Sequence, residues 1–231
     1  MCMKSNNQHR RTIRSYVRRE GRITAAQQEA LVSCWDRFGI NFSKQHLGLA
    51  RIFGRDVPIV LDIGCGNGDT TLALAGAHPE NNYLAVEIHR PGIGNLLRKI
   101  VMNGLVNIRV IGHDIFEVLE HQVPDSSLEQ VMIFFPDPWP KKRHHKRRLI
   151  SPSFLDILIP RLRQNARLFI ATDWKDYADH ILAVCDCDSR LINLAGKGNT
   201  APRPRWRPQT RFEQRGIRLE HEVWDYVYAL R

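Results

Sequence analysis

Along most of this chain, apolar segments suited to strands alternate with segments suited to helices. No other feature limits the available folds as much. "VPIVLDI" (57–63) is a continuous apolar run and reads as a buried strand, and "TTLALAGA" (70–77) reads as a helix. The alternation continues through a strand "NYLAVEI" (82–88), a helix "GIGNLLRKIVMNG" (92–104), a strand "IRVIGHD" (108–114) and a short helix to about residue 121. Then come a strand "QVMIFFP" (130–136), a helix "PSFLDILIPRLR" (152–163), a strand "ARLFIATD" (166–173) and a helix "KDYADHILAVCD" (175–186). "RLEHEVWDYVYAL" (218–230) alternates at period two and closes the series as a strand. Upstream, Thr24 with Gln27 makes a capping-box signal for a helix ending near Gly39. This pattern predicts an α/β fold, a mainly parallel sheet with helices on both faces. The expected organisation is a basic N-terminal extension and helix over 1–40 and one larger domain over 41–231, within a chain long enough to bury a full core.

In such a sheet, ligands bind outside the carboxyl ends of the strands, where the strand order reverses. The residues at those ends are Asp62 and Gly64, Glu87, Asp114, Asp137 and Asp173. "LDIGCGNGD" (61–69) leaves a strand and enters a helix, and Gly64, Gly66 and Gly68 permit a tight turn with a close backbone approach to a ligand. A dinucleotide turn of the G-x-G-x-x-G/A type would have Asp69 at its third position, where a negative side chain opposes a pyrophosphate. The spacing suits a nucleoside without phosphates, such as S-adenosylmethionine, whose cationic centres tolerate Asp62. Glu87 follows about 20 residues later, where an acid accepts ribose hydroxyls, and Asp114 is placed to accept from the adenine amino group.

The chain carries a net charge of +10, which points to a polyanionic partner, nucleic acid first. Its basic residues cluster. Arg10, Arg11, Arg14, Arg18, Arg19 and Arg22 form one group, with 11, 14 and 18 on one helical face. This group could also belong to a mitochondrial presequence, but Glu20 and a poor apolar face weigh against that. "FFPDPWPKKRHHKRR" (134–148) holds the second group, and "PRPRWRPQTR" (202–211) the third. No apolar stretch approaches the roughly 18 residues of a membrane helix. The five cysteines are scattered without zinc-ligand spacing, which suggests free thiols in a reducing compartment, hence the cytoplasm. His144 and His145 stand among cations, a setting for phosphate contact rather than metal, so no metal is expected.

"DIGCGNG" with the strand–helix alternation resembles a Rossmann-like class I S-adenosylmethionine-dependent methyltransferase. "RSYVRREGRIT" (14–24), "FFPDPWPKKRHHKRR", "ATDW" (171–174), "RPQTRFEQRG" (207–216) and "HEVWD" (221–225) together resemble the bacterial tRNA (guanine-N7)-methyltransferase family, over nearly the whole chain. That family methylates the guanine at position 46, in the tRNA variable loop. The resemblance implies an antiparallel C-terminal strand, S-adenosylmethionine as methyl donor and tRNA as partner; nothing in the sequence requires a protein partner. It implies cofactor contacts for Asp62, Gly64, Gly66, Glu87, Asp114 and Asp137, with Asp137 also catalytic. It implies substrate contacts for Lys141, Asp173, Thr210, Arg211, Phe212 and Glu213. Finally, it implies that Arg143, His144, His145, Lys146, Arg147 and Arg148 lie against RNA.

Guanine N7 offers an in-plane lone pair and no proton, so that chemistry needs no general base at the nucleophile. The larger lever is alignment, worth about 7–11 kcal/mol for well-oriented reactants. Pro136 and Pro138 lock φ on either side of Asp137 and stiffen the loop. Asp173 and Glu213 are both candidate acceptors for the guanine N1–H and amino group. Trp139 could brace Asp137 or stack on a base, and Trp206, amid arginines, is the best stacking candidate of the tryptophans. Two other readings are an exocyclic-amine methyltransferase, because Pro-Asp-Pro-Trp is distantly like the Asp-Pro-Pro-aromatic loop of such enzymes, and a non-catalytic RNA-binding protein on a methyltransferase fold.

Overall fold

Leu61 and Leu84 are fully buried at the centre of an eight-stranded sheet, flanked by apolar residues on either face. The computed structural model describes Ser15 and residues 21–210, 213, 214, 216 and 222–231. The chain begins with α1 (Ala25–Ser33), α2 (Trp35–Phe38), β1 (Gly39–Ile40) and α3 (Leu49–Phe53). It alternates through β2 (Ile59–Ile63), α4 (Asp69–Ala77), β3 (Asn82–Val86), α5 (Arg90–Met102), β4 (Ile108–Ile111), α6 (Ile115–His121) and β5 (Leu128–Phe134). It closes with α7 (Pro152–Leu158), β6 (Leu162–Thr172), α8 (Lys175–Cys185), β7 (Leu191–Asn193) and β8 (Trp224–Leu230). The strand order is β1-β4-β3-β2-β5-β6-β8-β7. Strands β1 to β6 pair in parallel, while β8 runs antiparallel to β6 and β7 antiparallel to β8.

The period-two alternation of β2 explains both layers of the core. Ile59, Leu61 and Ile63 pack with Val118, Leu119, Phe154, Leu158 and Ile181, from α6, α7 and α8. Val60 points the other way, into Leu74, Ile93, Leu97 and Ile100, from α4 and α5. Asp62 shares the Val60 face, and the Thr71 side chain of α4 meets it. The chain moves outward from β2 to β3 and β4, then returns to place β5 on the other side of β2. The order therefore reverses between β2 and β5, which fixes where a crevice opens.

Some boundaries differ from the sequence expectation. The first helix has its capping box, with Thr24 N–H donating to Gln27 Oε1 at 2.9 Å, but it stops at Ser33, and Gly39 and Ile40 pair with β4. The division expected after residue 40 comes directly behind β1. The helix expected over 152–163 ends at Leu158 and tightens into a 3₁₀ turn over Ile159–Arg161, because Pro160 has no N–H to continue it. The stretch 141–148 forms a 3₁₀ helix over Lys142–Arg147. The edge strands β1 and β7 have two and three residues, too few to show a period.

Candidate active site

At the carboxyl end of β2 the backbone turns left-handed. Gly64 and Gly66 have φ of 72° and 56°, and a Cβ added at either would stand in open space, leaving room for a ligand against bare backbone. Gly92 is required for a different reason: its Cβ would lie 2.7 Å from the Gly66 carbonyl oxygen, so the start of α5 closes against the turn.

Glu87, just past β3, holds this turn in place. Its Oε2 accepts from Gly66 N–H at 2.8 Å, and its Oε1 accepts from the N–H groups of Ile88 and His89 at 2.7 and 2.9 Å. Three of its four lone-pair sites are thus filled, and Oε2 keeps one for a ribose hydroxyl. Asp62 is buried and accepts from Thr71 Oγ1. Burial raises its carboxyl to about 7, the Thr71 bond opposes this, and the Glu87 charge adds to it. Burial and the same two acids push the Cys65 thiol up as well, so it is a poor nucleophile.

Two adjoining lobes make the cleft. One, of about 210 Å³, is lined by Ser15, Gly64, Glu87, His113 and Asp137. The other, of about 260 Å³, is lined by Asp62, Gly66, Asn67, Thr70 and Thr210. Gly64, Phe134 and Phe135 border both. The fit to a cationic nucleoside is chemical as well as spatial: four acids, Asp62, Asp69, Glu87 and Asp137, line the two lobes with an uncovered glycine backbone, and among the described residues no lysine or arginine does. Asp114 sits between the lining residues His113 and Ile115. Its Oδ1 caps α6 by accepting from Phe116 N–H at 2.9 Å, so one oxygen is already engaged. Asp69 forms an ion pair with Lys99.

Asp137 is exposed on a loop whose flanking residues Phe135 and Trp139 are both left-handed, with φ of 53° and 47°. Non-glycine residues adopt that region at a cost, and such strain collects at functional loops. Trp139 braces the loop. Its Nε1–H donates to the Ser15 carbonyl at 3.0 Å, the Arg147 guanidinium lies over its ring at 5.0 Å, and His144 meets it edge-on.

The basic run divides by exposure. Lys141, Lys142, Arg143 and Lys146 are exposed, and His144, His145 and Arg147 are half-buried. Partial desolvation and the cations Arg143, Arg147, Lys141 and Lys146 hold His144 below its usual value. Arg148 corrects the expectation of an RNA contact. It is 4% exposed, donates to the Pro138 carbonyl at 2.9 Å, pairs with Asp176 and lies over the Tyr177 ring. Its guanidinium ties the Pro-Asp-Pro-Trp loop to α8.

Glu213 is a second correction. Its carboxylate is 1% exposed and accepts from Arg207 Nη1 at 2.8 Å and Nη2 at 3.0 Å, so it cannot face a guanine edge. Arg207 also donates to Asp225 at 3.0 Å and lies over the rings of Phe134 and Phe135 at 5.4 and 5.5 Å. This buried cluster joins the 201–214 segment to β8 and backs the wall of the cleft. Sequence reading missed it. The ion-pair partners are 6 and 18 positions apart, and no local pattern links them. Thr210 lines the cleft and its Oγ1 accepts from Glu213 N–H at 3.2 Å. Trp206 packs edge-on against Phe169 at 4.8 Å and is not displayed for stacking on a base. Asp173, half-buried, follows the end of β6, which pairs with β5, while Arg211 and Phe212 lie outside the described residues, as do Arg10, Arg11, Arg14, Arg18 and Arg19.

Residues 56–226 match a family model described as "Putative methyltransferase". Solved structures of similar fold include the 16S rRNA methyltransferase KamB, with a TM-score of 0.55 at 15% identity, covering 79% of this chain and 92% of that one. Another is an rRNA methylase from Streptococcus thermophilus, with a TM-score of 0.50 at 15% identity, covering 76% and 87%. At that identity they establish the fold alone. Much nearer in sequence are tRNA (guanine-N(7)-)-methyltransferases. That of Nitrosospira multiformis is 50% identical over 94% of each chain, and that of Halorhodospira halophila is 49% identical over 96% of each. With a match of this extent, and with glycine turn, acids and Pro-Asp-Pro-Trp loop gathered at one crevice, the chain belongs to the tRNA (guanine-N(7)-)-methyltransferase family.

Proposed function

We propose that this chain methylates N7 of the guanine at position 46 of tRNA. The observation that carries the reading is the placement of Asp137. It sits on a strained, proline-flanked loop at the mouth of a glycine-lined cleft, with exposed cations immediately downstream. When bound, S-adenosylmethionine supplies an electrophilic methyl group on a sulfonium. Gly64 and Gly66 give it bare backbone, Glu87 accepts from its ribose, Asp114 contributes its remaining oxygen, and Asp62 offers a negative charge to its cationic end. Asp137 orients the reacting groups. It does so as a fixed charge beside N7, since N7 has no proton to remove. Asp173 accepts from the guanine edge and Thr210 closes the second lobe. Lys141, Arg143, His144, His145, Lys146 and Arg147 hold phosphates. The four described cysteines are free thiols, which suits a reducing cytoplasm. Among the described residues no helix is long and apolar enough to cross a membrane.

Incubation with methyl-labelled cofactor and bulk tRNA, then nucleoside analysis, tests the reading. The label should appear in 7-methylguanosine, and a transcript with adenine at position 46 should accept none. Label in an N2-methylguanosine or an N6-methyladenosine would transfer the assignment to exocyclic-amine chemistry. Cofactor binding with no label in any nucleoside would leave an RNA-binding protein.

A further inference from the structure

The sheet edge opposite the cleft carries a second basic site. Arg37 at the end of α2, Arg55 in the loop before β2, and Arg109 on β4 line one pocket of about 260 Å³ with Phe38, Phe53 and Asn107. All of these stand at the amino ends of the parallel strands, where Ile59 pairs with Asn82, Tyr83 with Ile108 and Gly39 with Val110. Strands of four or five residues at about 3.3 Å each put roughly 15 Å between this edge and the glycine turn.

None of the three guanidiniums has a counter-ion among the described residues. Arg55 donates to Asn82 Oδ1 and to the Asn81 carbonyl, both at 2.9 Å. Arg109 donates to the carbonyls of Val106, Ile108 and Ile52 and lies over the Phe53 ring at 5.1 Å. These acceptors are neutral: they fix the direction of a guanidinium without cancelling its charge. Arg37 is exposed, rests over Phe38 at 4.9 Å, and makes no side-chain hydrogen bond among the described residues. Asp36 and Asp56, its neighbours along the chain and those of Arg55, are exposed and form no ion pair among the described residues. Glu80 is within electrostatic range of Arg55 but pairs with His78 at 3.0 Å. Burial first, and the neighbouring charge of Arg37 second, push Arg109 below its usual value. Arginine nonetheless keeps its proton, so the repulsion persists until an anion enters.

We propose that this pocket binds a phosphate group, held by Arg37, Arg55 and Arg109 at a site separate from the methyl-transfer cleft. Guanidinium forks match phosphate oxygens, and the half-enclosed aromatic walls strengthen the attraction by excluding water. The phosphate comes either from a phosphodiester of RNA lying across this edge or from a free phosphate. The site stands independently of the methyl-transfer reading.

Arg37→Gln is the informative variant, since that side chain makes no hydrogen bond or ion pair among the described residues. Thermal melting in inorganic phosphate, against chloride at equal ionic strength, should show a saturable rise in Tm for the native chain and little for Arg37→Gln. Binding of tRNA to both proteins across a salt series identifies the source. A log–log salt slope shallower by about one unit in the variant assigns the pocket to an RNA phosphodiester. An unchanged slope with a lost phosphate response assigns it to a free phosphate. If neither readout separates the two proteins, the site is refuted.

Discussion

At the residue scale, Asp62 makes the sharpest prediction. Its carboxyl lies at about 7 in the folded chain against an ordinary 3.8, so the native state holds a proton that the unfolded chain releases. That contribution is fully present below pH 3.8 and is lost as pH rises through about 7. The melting temperature of the ligand-free protein should therefore fall between pH 5 and 7, with a slope of at most ~1.4 kcal/mol per pH unit from this group. In Asp62→Asn that component of the slope should vanish. A cationic ligand favours the ionised acid, so cofactor binding at pH 6 should expel a proton. Calorimetry in two buffers of different ionisation heat would show it, and identical enthalpies in both would contradict it. Asp137 requires a different measurement. Asp137→Asn should slow single-turnover methyl transfer at every pH from about 6.5 to 8.5 without adding a pH dependence, because no base titrates at N7. Near-native turnover would leave Asp137 as a stiffener only.

At the element scale, the 3₁₀ helix Lys142–Arg147 and the Arg148 that follows it have separable roles. Alanine at Lys141, Arg143 and Lys146 should flatten the salt dependence of tRNA binding by about 2–3 units and leave the melting temperature nearly unchanged. Arg148→Ala should do the reverse, lowering stability while the slope stays. A triple variant with the native slope would mean that the run is merely solvated. The Arg207 cluster behaves as a unit of another kind. Arg207→Met would leave Glu213 and Asp225 buried with only the more exposed Arg203, 3.5 Å from Glu213, as a counter-charge, a loss of about 3–5 kcal/mol. Burial already raises Asp225 despite Arg207, so in the variant Asp225 would take up a proton more readily. The loss should be largest near pH 8 and smaller near pH 5. Urea unfolding at the two values tests this, and a pH-independent loss would count against it.

At the scale of the whole molecule, what the sequence reveals depends on the distance over which a signal acts. The sheet and its helices were legible because apolar periodicity is local: β2 to β6 and the helices between them follow from runs of a few residues. The glycine turn, Glu87 and Asp137 were legible because a parallel sheet brings its carboxyl ends to one edge. Arg148 and Glu213 were misread for a common reason. In the sequence each looks like its neighbours, a cation among cations or an acid in a polar segment, and only packing against Tyr177 or Arg207 distinguishes it. Glu87 carries one more consequence. With three backbone N–H groups on its carboxylate, the glycine turn has its shape before any ligand arrives. Ordering it is then part of folding the chain, and the ligand meets a finished surface. Stopped-flow mixing with cofactor should give a single exponential whose rate rises linearly with concentration, with no plateau. In Glu87→Ala the turn must be captured or reshaped at each encounter, and the same plot should bend over toward a limiting rate.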